Sequence, residues 1–394
     1  MLPDPIEFAE SICLISKPAA KKAGMPKRKA GGSASNKVSK SAAVAEKDAF
    51  LHSRPISLRV LGDYLDLSPA TISLVLNNAP GVRSIPQETR DRVLAAAQKF
   101  DYRPSFYARS LRRKQSFSVG VLVPELSDGY SVLIMDGIEE VLIEEGYFYL
   151  AASHRRKADL IEEYPRLLMD RSVEGLIAID TALQHSLPIP VVAVASHRNI
   201  EGVTNIVLDH RRAAELAMRH LYQLGHRQIA FMRGQTFSSD SDDRWKSLMT
   251  VSRDLGIEVH SELVVQLELN ISSPELGYPV AQHLLNRKRP FTALVSFNDI
   301  AAIGAIRAFR DRNLRVPEDV SVVGFDDIQG AAYHNPSLTT IRQPLRKMGT
   351  SAAQILLQRL RNPQEDPGHL AMVPELIIRE STMPPNPKRI PRQS

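Results

Sequence analysis

The chain has 394 residues, more than one hydrophobic core usually supports, so two or three domains are expected. Hydrophobic residues make up 43% and charged residues 24%, which excludes a mostly disordered or collagen-like chain. No apolar run approaches the roughly 18 residues of a membrane-spanning helix, and the single cysteine, Cys13, excludes a disulfide framework and any cysteine-built metal site.

The net charge of +6 is unevenly spread. Residues 1–50 carry nine Lys/Arg against five Asp/Glu, and residues 51–116 carry eleven against five. The end of the chain, 381–394, adds three more cations (Lys388, Arg389 and Arg392), so residues 117–380 are acidic, at −7. A basic front on an acidic body is the footprint of a module that meets phosphates while the rest does something else. For residues 1–50 alone, a solubilising extension is the plainer account.

Residues 1–54 read as a disordered basic extension rich in Ala, Ser, Lys and Gly, with the cluster Lys27-Arg-Lys29 and no sustained periodicity. Early acids (Asp4, Glu7, Glu10) and the short apolar run Ile12–Ile15 argue against an export signal, so a cytoplasmic protein without a membrane partner is expected. Met25, followed by Pro-Lys-Arg-Lys, is an alternative start.

Residues 55–103 predict three short helices. Ser57 caps the first, which buries Leu58, Leu61 and Leu65; Asp66-Leu67 makes a turn. Ser68 caps the second, Pro69 takes its first position where a missing N–H costs nothing, and Ile72, Val75 and Leu76 form its buried stripe. The third opens near Ile85-Pro86, buries Val93, Leu94, Ala97 and Phe100, and stops at Tyr102-Arg-Pro104. Two helices across a tight turn plus a supporting third fit a helix-turn-helix domain, and equally fit any small three-helix bundle.

From 117 to 380 strands and helices alternate. Ser118–Pro124 is a buried strand followed by a helix to about Glu145. Strand-like runs recur at Tyr147–Ala152, Glu174–Ile179, Ile189–Ala195, Gln228–Met232, Ala293–Phe297 and Val320–Phe325. Continuous apolar strands between helices mean parallel sheets covered on both faces, with ligands bound where strand ends meet a cleft. Residues 381–394, with four prolines, read as a flexible tail. There is no G-x-x-x-x-G-K-[ST], G-x-G-x-x-G, H-E-x-x-H or G-x-S-x-G run, and the eleven histidines lack metal spacing. No enzyme, cofactor or metal site is expected, because an α/β fold alone implies no chemistry.

The run Ser57-Leu-Arg-Val-Leu-Gly-Asp-Tyr-Leu-Asp-Leu-Ser-Pro-Ala-Thr-Ile-Ser-Leu-Val-Leu-Asn77, with Thr89–Pro104 after it, resembles the DNA-binding head of the lac repressor family, and the resemblance continues in register to about Arg379. It implies an all-α helix-turn-helix head joined by a hinge helix (104–116) to an α/β two-lobed periplasmic-binding-protein-like core (117–380) with parallel sheets and three crossovers between lobes. It also implies a dimeric transcriptional regulator, most simply a repressor, that binds a palindromic double-stranded operator under control of a small-molecule effector such as a sugar. The rival readings are a sugar-binding sensor without DNA function and an α/β enzyme acting on sugars.

Carried over by position, Ser68, Thr71 and Ser73 are phosphate donors. Pro69, Ala70 and Leu74 are the base-facing positions, and Asn77 is a further DNA-binding position. Leu74 stands where the lac repressor has an arginine; apolar groups there suit thymine methyls. Asp66 replaces the usual turn glycine, and Asp tolerates left-handed backbone better than most residues. In the hinge, Leu111 holds the position of a leucine that wedges into the minor groove, with Ala108 on the same face and Arg109 beside it for phosphates. The effector cleft is implied at Asp128, Tyr130, Ser196, Arg244, Asn298, Asp326 and Gln343, with Asp299 assigned to cap the helix that follows.

Overall fold

The computed structural model describes residues 56–102, 115–126, 129–196, 198–271, 273–362 and 368–386. They belong to two compact units, 1–104 and 105–394. The expected extension, nearly all of the expected hinge helix (with Ala108, Arg109 and Leu111) and Asp128 lie outside the described residues.

In the first unit, α1 (Leu58–Leu65), α2 (Pro69–Leu76) and α3 (Gln87–Lys99) follow the predicted order. Their facing stripes enclose Leu61, Leu65, Ile72, Val75, Val93, Ala96 and Phe100, all buried. Both N-caps form as expected: Val60 N–H donates to Ser57 Oγ at 3.2 Å and Thr71 N–H to Ser68 Oγ at 3.1 Å. Asp66 ends α1 in the left-handed region, at φ 57° and ψ 45°. A glycine is needed instead one turn earlier, because a Cβ on Gly62 would sit 2.7 Å from the Leu67 carbonyl oxygen as the chain doubles back. Arg92 of α3 donates to the Leu65 carbonyl at 3.0 Å, satisfying one of the free acceptors at the end of α1. One expectation fails: Leu94 is 51% exposed. The buried stripe of α3 runs 93, 96, 100, and Leu94 lies one residue, about 100° of helix rotation, off it.

The second unit contains two six-stranded sheets. The first lobe holds β1 (Ser118–Val123), β2 (Phe148–Ser153), β3 (Gly175–Ile179), β4 (Val191–Val194) and β5 (Val203–Leu208), with α4 (Gly129–Glu144) and α5 (Ala158–Asp170) between them. The second lobe holds α6 (His210–Leu224), β6 (Ile229–Arg233), α7 (Ser239–Asp254), β7 (Val264–Gln266), α8 (Tyr278–Asn286), β8 (Ala293–Ser296), α9 (Asp299–Asp311), β9 (Ser321–Asp326), α10 (Gln329–Tyr333) and β10 (Thr339–Arg342). The chain then returns through α11 (Leu345–Arg361) and β11 (Leu370–Met372) to the first lobe, and ends through β12 (Glu375–Ile377) in the second. Strand orders are β11-β5-β4-β3-β1-β2 and β12-β10-β9-β8-β6-β7. The three implied crossovers are present. All pairings are parallel except β10 with β12.

Helices cover both faces of each sheet, which is why the strands read as nearly unbroken apolar runs. α11 seats against α4 through two glycines. A Cβ on Gly137 would lie 2.0 Å from the Arg346 carbonyl oxygen, and one on Gly349 would lie 1.9 Å from that of Ile134.

Residues 381–383 are not the loose tail expected. Ser381 is fully buried; it accepts from Thr339 N–H at 2.8 Å and donates to the Val322 carbonyl at 2.6 Å. His226, also buried, donates from Nε2 to the Met383 carbonyl at 2.9 Å and accepts at Nδ1 from the Thr292 hydroxyl at 2.8 Å. Both ring nitrogens are used by the neutral form, and burial first of all lowers its pKa to about 4.

Two outcomes follow from this packing. Unfolded His226 takes up a proton below about pH 6.5, whereas the folded ring resists until about pH 4, so its contribution is present above 6.5 and lost as the pH falls. The melting-temperature gap between the native chain and His226→Asn, worth roughly 1–2 kcal/mol of lost hydrogen bonding at pH 7.5, therefore narrows toward pH 4.5; calorimetry showing a constant gap contradicts the assignment. In the head, Ser68→Ala removes the α2 cap and costs about 1 kcal/mol, read as a lower melting transition for the head with the core transition unmoved.

Candidate recognition helix and effector cleft

Burying Ile72 and Val75 turns the opposite side of α2 outward. Ser68, Pro69, Ala70 and Asn77 are exposed, and Thr71, Ser73 and Leu74 are half-buried. The hydroxyls assigned to phosphates are already engaged within the helix. Ser68 Oγ and Thr71 Oγ1 are 2.8 Å apart, and Asn77 Nδ2 donates to the Ser73 carbonyl at 2.7 Å and to Ser73 Oγ at 3.2 Å. Of the Ser68 and Thr71 hydroxyls one donates to the other, which keeps its own proton to donate outward, and Ser73, which accepts from Asn77, keeps its proton too. The three helices with their turns, residues 56–102, carry five cations and five acids, so the basic excess of this region belongs to Arg54 and to Arg103, Arg109, Arg112, Arg113 and Lys114.

In the second unit, parallel strands deliver their carboxyl ends to one region. From the first lobe, β1 leads to Tyr130 in the first turn of α4, β2 to His154 and Arg156, β3 to Asp180 and β4 to Ser196. From the second, β6 leads to Asp240 and Arg244 on α7, β8 to Phe297 and Asn298, β9 to Asp326 and β10 to Gln343. Tyr130 records their convergence. Burial pushes its hydroxyl pKa well above the usual value, the carboxylates of Asp240, Asp180 and Asp326 push it further, and Arg244 partly offsets them. The hydroxyl therefore stays neutral, able to donate and to accept.

Arg244 is the most elaborately held group. It is 4% exposed, and its guanidinium lies 3.5 Å from the Phe325 ring centroid and 4.4 Å from that of Phe297. It donates to the Phe297 carbonyl and, at 3.3 Å, to Asp240, one helical turn back on α7. Asp240 also lies 3.4 Å from His210 Nε2. The Arg244 Nε has no hydrogen-bond partner among the described residues, and neither does Oε1 of Gln343, which is 3% exposed. Gln343 spends its amide N–H on Asp326 Oδ1 at 2.7 Å, and Asp326 is held at φ 116°, a left-handed backbone that aims its carboxylate.

On the first-lobe side, Arg156 pairs with Asp180 at 2.5 Å and lies over the Phe237 ring of the second lobe at 4.6 Å. His154 accepts from Arg156 N–H at Nδ1 and donates from Nε2 to Thr181 at 2.9 Å; burial, then Arg156, lowers its pKa to about 4. Asn270 of the second lobe donates to the Arg155 carbonyl at 3.4 Å, a further contact across the cleft.

Four of the expected residues, Tyr130, Arg244, Asp326 and Gln343, thus come together. Ser196 is buried at the end of β4, with no hydrogen bond to this cluster among the described residues. The cap expected of Asp299 is made by its neighbour: Asn298 caps α9, accepting from Ala301 N–H at 2.9 Å. Asp299 is fully buried instead, accepting from the Thr340 hydroxyl at 2.6 Å and Ile328 N–H at 3.0 Å, and burial raises its pKa to about 7. Sequence reading missed Asp180, Arg156 and Asp240. The last carried a usable signal, since an acid four residues before an arginine on one helix face is a pairing pattern. Clustered donors, acceptors and flanking rings in a buried cleft suit a small polar ligand. Among the described residues no group of His, Cys, Asp and Glu is placed to hold a metal, and no helix is long and apolar enough to cross a membrane.

Comparison with known proteins assigns the two units separately and then together. Residues 66–105 match the profile of bacterial regulatory proteins of the lacI family, and residues 218–382 that of the periplasmic binding protein-like domain. The HTH-type transcriptional repressor PurR of Erwinia tasmaniensis is 31% identical over 324 residues, covering 80% of this chain and 93% of the relative. PurR of Haemophilus influenzae is 30% identical, covering 80% and 95%. Among solved structures, the lac repressor dimer bound to operator and the anti-inducer ONPF superposes with a TM-score of 0.74 at 26% identity, covering 84% of this chain and all of that one. A lacI family regulator from Enterococcus faecium with bound ribose gives 0.61 at 26% identity, over 68% of this chain. With the head, the two crossed lobes and this span of identity in agreement, the chain belongs to the lacI family of bacterial transcriptional regulators, which are not enzymes.

Proposed function

We propose that the protein is a cytoplasmic transcriptional repressor that binds a palindromic operator as a homodimer and is released from it, or recruited to it, by a small polar effector in the cleft. The observation that carries this reading is the collinear identity with repressors from the recognition helix through both lobes. In this account α2 of each head lies in the major groove with Pro69, Ala70 and Leu74 at base edges and Ser68, Thr71, Ser73 and Asn77 beside the phosphates. Ala108, Arg109 and Leu111 act at the centre of the site, Leu111 as the wedge. Two symmetric heads require a two-fold symmetric site. Tyr130, Arg244, Asp326 and Gln343 hold the effector, with Asp128, Ser196 and Asn298 completing the set carried over from the family. Any ligand that prefers the DNA-free arrangement of the lobes must weaken operator binding by the same factor.

The test is selection of purified full-length protein on random duplexes. One enriched palindrome with a fixed centre is the expected outcome, and no enriched site, with and without a metabolite mixture, contradicts the reading and favours a sensor without DNA function. Repeating the selection with Leu74→Arg moves the preference at one symmetric pair of positions toward guanine, a change of roughly 1–3 kcal/mol per bidentate contact, while leaving the centre unchanged.

A further inference from the structure

The cleft contains cations that carry acids with them. Arg244 and Asp240 are 4% and 5% exposed and in contact at 3.3 Å; Arg156 and Asp180 are in contact at 2.5 Å. Asp326, which follows the Phe325 ring under Arg244 and accepts from Gln343 at 2.7 Å, adds a third carboxylate. Three acids against two guanidiniums leave the cleft with no surplus positive charge on these groups. Two polar atoms here, the Nε–H of the Arg244 guanidinium and the Oε1 acceptor of Gln343, are buried and without partners among the described residues, and a ligand could satisfy both.

An anionic ligand entering here would have to take Arg244 from Asp240, and would then face two further carboxylates at low dielectric, where like-charge repulsion is strong. A ligand of hydroxyls or amides needs no such exchange. It accepts from Nε, donates to Gln343 and to the carboxylates, and leaves both ion pairs intact.

We infer that Asp240 is a specificity-determining residue: its pairing with Arg244, backed by Asp180 on Arg156, closes the cleft to phosphorylated and carboxylated metabolites and restricts the effector to uncharged polar molecules. This rests on the reading of the cleft as an effector site and narrows the class of molecule it takes. The acid sits four residues before the arginine on α7, so the filter is built into one helix, and its removal converts a neutral site into an anion site without touching the arginine.

The experiment is thermal denaturation of the full-length protein in inorganic phosphate against chloride of equal ionic strength. Wild type shows no phosphate-specific change. Asp240→Asn frees Arg244 and raises the melting temperature of the core by about 2 °C or more in roughly 10 mM phosphate, as binding to the native state alone requires. Asp180→Asn, measured in parallel, gives the same kind of gain through Arg156 and keeps the test decisive if the first variant does not fold. Asp240→Asn with Arg244→Gln loses the gain. Phosphate stabilisation of the wild type, or its absence from every folded single variant, overturns the proposal. Operator release by an uncharged ligand is a separate readout, so phosphate capture by Asp240→Asn can succeed where the effector reading fails.

Discussion

Buried charge has to be paired, and the second unit is organised around one buried guanidinium. Arg244 lies between the rings of Phe297 and Phe325, donates to a backbone carbonyl and to Asp240, and is 4% exposed. Removing one partner from such a group leaves a desolvated charge, a cost of several kcal/mol, so the ends of β6, β8 and β9 and the start of α7 are constrained together. A parallel sheet makes this possible, because every strand points its carboxyl end, and the loop that follows it, toward the same edge.

The crossings between lobes give the cleft its mechanical meaning. The chain passes from the first lobe to the second after β5, back through α11 and again after β11, so relative motion of the lobes is confined to three connections. The close seat of α11 on α4, at Gly137 and Gly349, makes the returning helix part of the first lobe's own core. Contacts across the cleft among the described residues include Arg156 on Phe237, Asn270 on the Arg155 carbonyl and the close approach of Gly129 to Ile328. Such contacts are weak individually, which suits an equilibrium that a ligand of ordinary affinity has to bias.

Periodicity made most of the fold legible. Strands buried on both faces, such as β1, β3, β8 and β9, have unbroken apolar runs. Those left unread bury polar side chains instead: Thr204 and Asn205 in β5, Thr339 and Thr340 in β10, the threonines meeting partners far along the chain that no local pattern announces. β7, β11 and β12 are only three residues long. In the head, Leu94 was misplaced because an apolar residue next to a buried one looks the same in sequence. In the cleft, resemblance located Arg244, Asp326, Gln343 and Tyr130, but the acids that set its charge are specific to this arrangement of loops. The cap of α9 was placed on Asp299 rather than Asn298 because adjacent Asn and Asp are both good caps, and a buried threonine forty-one residues away claims the aspartate.

Linkage between cleft and operator is the central claim, and operator affinity is its most direct measure. With the palindrome selected by the wild type, binding is titrated for wild type and Arg244→Ala, with and without the low-molecular-weight fraction of a cell extract. The account predicts that the fraction changes wild-type affinity by a factor of about 5–150, the usual range of coupling between sites, and leaves Arg244→Ala, which still binds the operator, unresponsive. An equal response in both proteins, or none in the wild type across extracts from different growth media, would contradict it.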